Sequence, residues 1–277
     1  MIQQYRNVSA HSRAEHSRPG PVTPVTDIAS AWGQTQDMNT LSPEITVGEL
    51  AARMPASAQV FEQFGIDYCC GGGQAFDQAC RTRGLDPAAV LEEIERQAHP
   101  ATGAAPQPDW QTTSLDLLID HIVGTHHVYM KTRLPRQDTM LEKILAKHSA
   151  RHGAVLLPLA ETFRAMKEEL EGHLMKEEMI LFPLIRSLEE GGRETKEFPC
   201  GSVRNPIRVM VAEHDSAGQA LGAMRQLTAG YTPPEDACNT FRAFYCGLDE
   251  MERDLHQHIH LENNILFPRA VELESRQ

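Results

Sequence analysis

Nowhere in the 277 residues does an apolar run approach the roughly 18 positions that a membrane-spanning helix needs. No membrane partner is therefore expected. Basic residues are outnumbered, 26 Lys and Arg against 38 Asp and Glu, and they form no stripe or cluster. With a net charge of −12, the chain lacks the electrostatic footprint of a nucleic-acid binder. Aromatic residues make up only 6%, which suits helices better than a β-sandwich, and 41% hydrophobic content suits a globular core. The six cysteines are too few for a disulfide scaffold in so long a chain. None of them forms a Cys-x-x-Cys pair, which removes the zinc knuckle. The opening MIQQYRNVSAHSRAEHSR has no apolar core of a secretory signal, so the expected compartment is the cytoplasm. Histidine, by contrast, is plentiful: 13 residues, most of them between His121 and His260. A histidine-rich, acidic, helix-patterned chain points to a nitrogen and oxygen metal site.

Residues 1–43 are rich in Ser, Gln, Thr and Pro with little periodicity, and are expected to be a disordered extension. Residues 44–98 read as a small helical domain. Thr46 and Glu49 fit a capping box, Gly65 a helix stop, and Asp86-Pro87 a helix start. Residues 99–112 read as a linker.

Residues 113–273 read as four amphipathic helices. The first starts at Thr113 or Ser114 and runs to about His148, with a break expected at Pro135. The second runs from about Ala154 to Glu190, stopped by Gly191. The third starts at Asn205-Pro206 and ends near Gly230. The fourth starts with a capping box at Thr232 and Glu235 and is disturbed at Phe267-Pro268. The expected fold class is all-α: an antiparallel four-helix bundle preceded by a small helical domain.

An internal repeat locates the chemistry. Residues 173–183, HLMKEEMILFP, and 258–268, HIHLENNILFP, share His, Glu four positions later, and Ile-Leu-Phe-Pro. Met, an acid and Leu also recur seven, four and three positions before each histidine. Positions i and i+4 stand on one helix face about 5–6 Å apart, so one helix can offer a metal both an imidazole and a carboxylate. His173 shares its face with Met166, Leu170, Ile180 and Leu181; His258 shares its face with Met251, Leu255, Ile265 and Leu266. Both pairs should therefore point inward, where a lone carboxylate would be costly and a metal would relieve it.

Each half also offers a partner histidine: His127, 46 residues before His173, and His214, 44 before His258. The expected set is four imidazoles and two carboxylates: His127, His173, Glu177, His214, His258 and Glu262. Two bridging carboxylates suit two metals about 3.5–4 Å apart. Carboxylate-bridged pairs in such bundles favour iron; the spacing alone admits iron, manganese or zinc. Glu213 and Asp215 flank His214 as candidate hydrogen-bond partners of ligands. His148 and His121 are candidates for an extra ligand. His256 and His260, two positions from His258, are expected at the surface.

Cys69 and Cys70 follow Tyr68 and precede three glycines. A flexible, exposed dithiol there is the candidate redox or iron-transfer pair, against the plainer reading of two small residues packed at a turn. Cys80 is expected to pack on its helix; Cys200, Cys238 and Cys246 show no partner.

The segments HHVYMKTRLP, HLMKEEMILFP, VAEHDSAG and HIHLENNILFPRA resemble a hemerythrin-like domain. VFEQFGIDYCCGGGQAFDQAC resembles the short Cys-Cys (ScdA-N-like) domain that precedes it in the iron–sulfur cluster repair di-iron protein family. The resemblance spans about residues 45–273. It implies two iron ions in an oxo- and carboxylate-bridged centre, on the same six ligands. It also implies repair of iron–sulfur clusters damaged by nitrosative or oxidative stress, with iron–sulfur client proteins, nitric oxide or dioxygen, and an electron donor as partners. A homodimer is the candidate assembly. The rival readings are a nitric-oxide scavenger or reductase, a hemerythrin-like oxygen carrier or sensor, and a structural zinc bundle.

Overall fold

The computed structural model describes residues 44–98, 108–191 and 201–276. The disordered reading of 1–43, most of the linker, and Cys200 fall outside the described residues. Among those described, every element is helical apart from one isolated bridge between Thr46 and Ala75.

Four short helices come first: α1 (Val47–Arg53), α2 (Ala56–Phe64), α3 (Phe76–Thr82) and α4 (Pro87–Ala98). The Thr46/Glu49 capping box forms in both directions. Gly65 closes α2 in the left-handed conformation, φ 65°. Val47, Leu50, Val60, Phe61, Phe76, Val90 and Ile94 are buried at the centre of this region.

The bundle comes next. Its first arm is α5 (Leu115–Ile122), a π turn π1 (Val123–His127) and the start of α6 (Val128–Lys176). The second arm is the rest of α6, π2 (Glu177–Leu181) and α7 (Phe182–Glu189). The third is α8 (Arg204–Leu227); the fourth is α9 (Asn239–Leu261), π3 (Glu262–Leu266) and α10 (Phe267–Ser275).

The two helices expected before residue 190 are arms of one helical run. At 49 residues, a straight α6 would span about 73 Å. Yet Asp138 pairs with Arg164 at 3.0 Å, and His127 lies 3.4 Å from Glu177, so the run doubles back near residue 151. Pro135 does not break it. That residue is exposed, and on a solvent-facing side water can serve the carbonyl its missing N–H leaves free.

Two expected helix starts are displaced. α8 begins at Arg204, not at an Asn205 cap, because Glu274 reaches across from α10 and accepts from the Val203 N–H at 2.9 Å. In the first half, Glu189 of α7 does the same for the Leu115 and Asp116 N–H groups, at 2.7 and 2.8 Å. Glu189 and Glu274 are 85 positions apart, the repeat distance of His173 and His258, so the duplication extends to the caps. α9 begins at Asn239, without the Thr232/Glu235 capping box. Segment 232–238 is instead tied to the α6 bend: Asp236 meets Arg151 and His152, both at 3.0 Å, and Arg242 holds the Glu235 carbonyl at 2.9 Å.

Both repeat prolines, Pro183 and Pro268, sit inside continuing helix. Each comes just after a π turn, and α7 and α10 run on beyond them. The disturbance expected at Phe267-Pro268 is therefore a π turn within a helix that runs on, and the second arm continues past Pro183 to Glu189, close to its expected end at Glu190.

The bundle core is two apolar clusters. One contains Met130, Leu134, Met166, Leu170, Leu221, Met251 and Leu255. The other contains Leu118, Ile122, Leu181, Phe182, Ile207, Ile265 and Phe267. On every arm a histidine lies in sequence between the two clusters, which sets a polar layer across an apolar interior.

Candidate metal centre

Six side chains fill that layer: His127, His173, Glu177, His214, His258 and Glu262, each at most 2% exposed. Their donor atoms fall into two groups of four. His127, Glu177, His258 and Glu262 form one; His173, Glu177, His214 and Glu262 form the other, all atoms of a group lying within 4.8 Å of one another. The two glutamates belong to both. Glu177 turns Oε2 to His127 at 3.4 Å and Oε1 to His173 at 3.3 Å. Glu262 turns Oε1 to His258 at 3.2 Å and Oε2 to His214 at 3.1 Å. The histidines pair across the duplication, His127 with His258 and His173 with His214, a pairing that the spacing left open.

The backbone places these groups at π turns. Glu177 and Glu262 are the first residues of π2 and π3, and His127 is the last of π1. A π turn adds a residue to the helical circuit and re-aims the side chains beyond it, and such turns gather at functional sites. Ile180 is 51% exposed, against its expected inward face, while its counterpart Ile265, after the same π turn, is 2% exposed where α1 and α5 pack against π3.

Outer hydrogen bonds fix which ring nitrogen faces inward. His127 Nδ1–H donates to Glu178 at 2.7 Å, and His173 Nδ1–H to Glu213 at 2.9 Å. His214 Nδ1–H donates to the Asn263 Oδ1 at 2.9 Å. In a neutral ring a proton on Nδ1 leaves Nε2 as a lone pair, so these three rings can offer Nε2 inward. The Nε2 atoms stand 3.0 Å apart in the His173/His214 pair and 3.2 Å apart in the His127/His258 pair, where the buried His258 Nδ1 has no hydrogen-bond partner among the described residues. Each Nε2 pair also faces carboxylates. All four carboxylate oxygens of Glu177 and Glu262 are buried with no hydrogen-bond partner. Four unpartnered carboxylate oxygens facing four imidazole nitrogens suit a cation.

The electrostatics agree. Burial lowers the His173 imidazole, but the Glu177 carboxylate outweighs it and carries the group to about 9. His127 is raised by the same carboxylates against burial, whereas in His258 complete burial outweighs the Glu262 and Glu177 carboxylates and lowers the imidazole, with the His127 ring at 3.2 Å adding to it. Burial alone would raise the Glu262 carboxyl, yet His258 and His214 hold it low.

The remaining expected candidates separate. His148 sits at the far end beside Cys238 at 3.3 Å and joins neither group; His121 stacks on Trp110 at 4.6 Å and also stays outside both. His126 is buried, pairs with Asp254 at 3.1 Å and stacks on His258 at 5.6 Å. Glu213 orients a ligand histidine as expected, whereas Asp215 lines an open cavity instead.

His256 and His260 are not free surface residues: both pack beneath the small helical region. His256 meets Glu62 at 2.6 Å, and buried His260 lies edge-on to Tyr68 at 5.4 Å.

The Cys-Cys loop seats on this surface. The Asn264 amide donates to the Tyr68 carbonyl at 2.9 Å, and the Asn263 amide to the Cys69 carbonyl at 3.3 Å. Gly72 permits the close approach, since a Cβ there would stand 2.6 Å from Asn264 Oδ1. Cys69 is buried and Cys70 half-buried, and backbone hydrogen bonds from Val47 and Gly48 pin the loop. The exposed, flexible dithiol expected from the glycines is therefore a fixed one. Cys80 is buried, as expected. The signal for Asn263 and Asn264 lay in the repeat itself: they stand where the first copy has Glu178 and Met179.

Comparison with known proteins gives this arrangement a lineage. Residues 118–270 match the family model described as the hemerythrin HHE cation binding domain. Residues 43–98 match ScdA_N, a domain of unknown function (DUF542). The iron-sulfur cluster repair protein YtfE of Dickeya chrysanthemi is 40% identical over 227 residues, 82% of this chain and 96% of the relative. Those of Musicola paradisiaca and an Enterobacter species are 39% and 37% identical. They cover 84% and 81% of this chain, and 98% and 96% of their own length. The chain belongs to the YtfE family of iron–sulfur cluster repair proteins, with an ScdA_N region followed by a hemerythrin HHE domain.

Proposed function

We propose that the bundle holds two irons on His127, His173, Glu177, His214, His258 and Glu262, and that the protein restores damaged iron–sulfur clusters by releasing iron to them. The observation that carries the reading is the pair of buried carboxylates, each turning one unpartnered oxygen to each group of histidines. Bound there, the irons would supply a redox-active centre whose ligands can exchange. The relatives carry the name of iron-sulfur cluster repair proteins, which supports the cellular role.

In this reading Glu178, Glu213 and Asn263 keep three imidazoles in the tautomer that offers Nε2 inward. The apolar clusters on either side exclude water. Residues 44–98 form a domain of their own kind seated on the 113–273 bundle, where Cys69 and Cys70 serve redox or iron transfer. The clients are iron–sulfur proteins of the cytoplasm, and reduction by an electron donor precedes release. Among the described residues, no helix is long and apolar enough to cross a membrane.

The test is transfer. Iron-loaded protein incubated with oxidatively damaged aconitase under reducing conditions should restore client activity. No recovery, with iron retained on the bundle, overturns donation.

A second reading, nitric-oxide capture or reduction, draws support from a small void of about 10 Å³ beside His173 and His214. Glu169 and Glu213 line it together with Met166, Leu170, Ala217, Leu255 and Ile259, and it has room for about one water. Consumption of nitric oxide without client recovery would select it.

A further inference from the structure

Outside the six-residue layer, one more group of ligand-type side chains converges among the described residues: Asp67, Cys69 and Cys70, with one donor atom from each within 4.8 Å of the others. The separations are those of a single coordination sphere. The two Sγ atoms stand 3.8 Å apart, and Cys69 Sγ lies 3.4 Å from Asp67 Oδ1. Two thiolates at about 2.3 Å from one tetrahedral ion are separated by about 3.8 Å, and a thiolate and a carboxylate oxygen by slightly less.

The loop is built to hold this geometry. Asp67 Oδ1 accepts from the backbone N–H of Cys69 at 3.1 Å and of Cys70 at 3.0 Å. Gly218 of α8 makes room for the second thiol, since a Cβ there would stand 3.1 Å from Cys70 Sγ. The group lies on the wall of a cavity of about 630 Å³ between the small helical region and α8. Asp215 stands on the same wall, as do Arg83 and Arg225; Glu252 there is paired with Arg225 at 2.9 Å and Glu62 with His256 at 2.6 Å.

The same loop touches the bundle centre at one residue. Cys70 Sγ lies 3.5 Å from the His214 carbonyl, and Asn263 links the Cys69 carbonyl to the His214 imidazole.

We propose that Asp67, Cys69 and Cys70 form a second, mononuclear metal site that takes one thiophilic divalent cation, Fe2+ in the cell, between the bundle centre and a client. The place between centre and client rests on the iron-donation reading above; the site itself does not. Two thiolates and one carboxylate suit Fe2+, Co2+ or Zn2+ and are unsuited to Mg2+ or Ca2+. Binding replaces the two thiol protons, which leave to solvent, and no electrons move. The fourth position stays open for water or a client's thiolate, the arrangement a hand-over requires. Both thiols must lose their protons to bind, so proton and metal compete for the site.

The test uses the full chain carrying two irons, those of the bundle centre, kept reduced and titrated with Co2+. One equivalent should bind with a thiolate-to-cobalt charge-transfer band in the near ultraviolet, without loss of iron. Cys69→Ser and Cys70→Ser should each abolish that band. Asp67→Asn keeps an oxygen for the two loop N–H groups, so it preserves the turn, yet it should weaken Co2+ binding by at least ~10-fold. Unchanged iron content in all three variants reports an intact bundle. Absence of the band in the parent protein, or Asp67→Asn binding as tightly as the parent, overturns the site even if client repair succeeds. A normal band without client repair upholds the site and overturns donation. Undiminished repair by Asp67→Asn, with its Co2+ binding weakened, overturns the site's place on the route.

Discussion

Residues 173–183 and 258–268 carry the same ligand spacing, the same π turn and the same proline, and they serve the polar layer symmetrically. On their outer sides they differ. The first copy presents Met175 and Met179, 60% and 73% exposed. The second has His260 and Asn264 at those positions, and the small helical region is seated on them. One copy orients its neighbouring histidine with a carboxylate, Glu178, itself paired to Lys131; the other uses an amide, Asn263, whose second arm reaches the Cys-Cys loop. Duplication thus keeps what a paired metal site needs and frees one outer face for a new attachment.

The largest effect should fall where the copies are equivalent. Because Glu177 and Glu262 each turn an oxygen to both donor groups, Glu177→Ala and Glu262→Ala should each lose both irons, not one. Iron analysis against protein concentration checks this, with circular dichroism to verify that the helices remain. Retention of two irons by either variant would break the equivalence and the ligand assignment with it.

Next is the packing beyond the π turns. Ile265 is 2% exposed and Ile180 is 51% exposed, although both stand three positions after their glutamate, because α1 and α5 pack against π3 and not to that extent against π2. Ile265→Ala should cost about 2–5 kcal/mol in denaturant unfolding. Ile180→Ala should cost about 0.5 kcal/mol or less. Equal losses would mean that this packing does not distinguish the two copies.

The contrast between these isoleucines also marks where sequence stops being informative. The six inward residues were legible because a repeat with i, i+4 spacing constrains one face of a helix, even if the register shifts beyond it. Glu189 and Glu274 were equally repeated yet went unread, since a cap supplied from another arm has no local signature. The π turns were hidden because helical periodicity assumes an even 3.6 residues per turn. The reversal within α6 falls in the gap expected between about His148 and Ala154, where it is held by long-range pairs such as Asp138 with Arg164; only the extra break at Pro135, expected from propensity, is absent. His256 and His260 looked like surface residues since nothing in helix α9 announces that a separate region covers them.

The smallest effect tests the asymmetry directly. Glu178→Ala and Asn263→Ala each remove the group that holds an imidazole Nδ1–H, on His127 and His214 respectively. Loss of such a partner typically weakens metal binding by about 10- to 100-fold, and a chelator challenge should find both variants in that range. Only Asn263 also holds the Cys69 carbonyl, so only Asn263→Ala should speed alkylation of Cys69 and Cys70, read by mass spectrometry. The increase should be modest, because Asn264 still holds the Tyr68 carbonyl and the Val47 and Gly48 hydrogen bonds still pin the loop. If Glu178→Ala exposed the thiols equally, the loop would be responding to the metal centre as a whole. The amide at 263 would then be no more than a second way to orient a histidine.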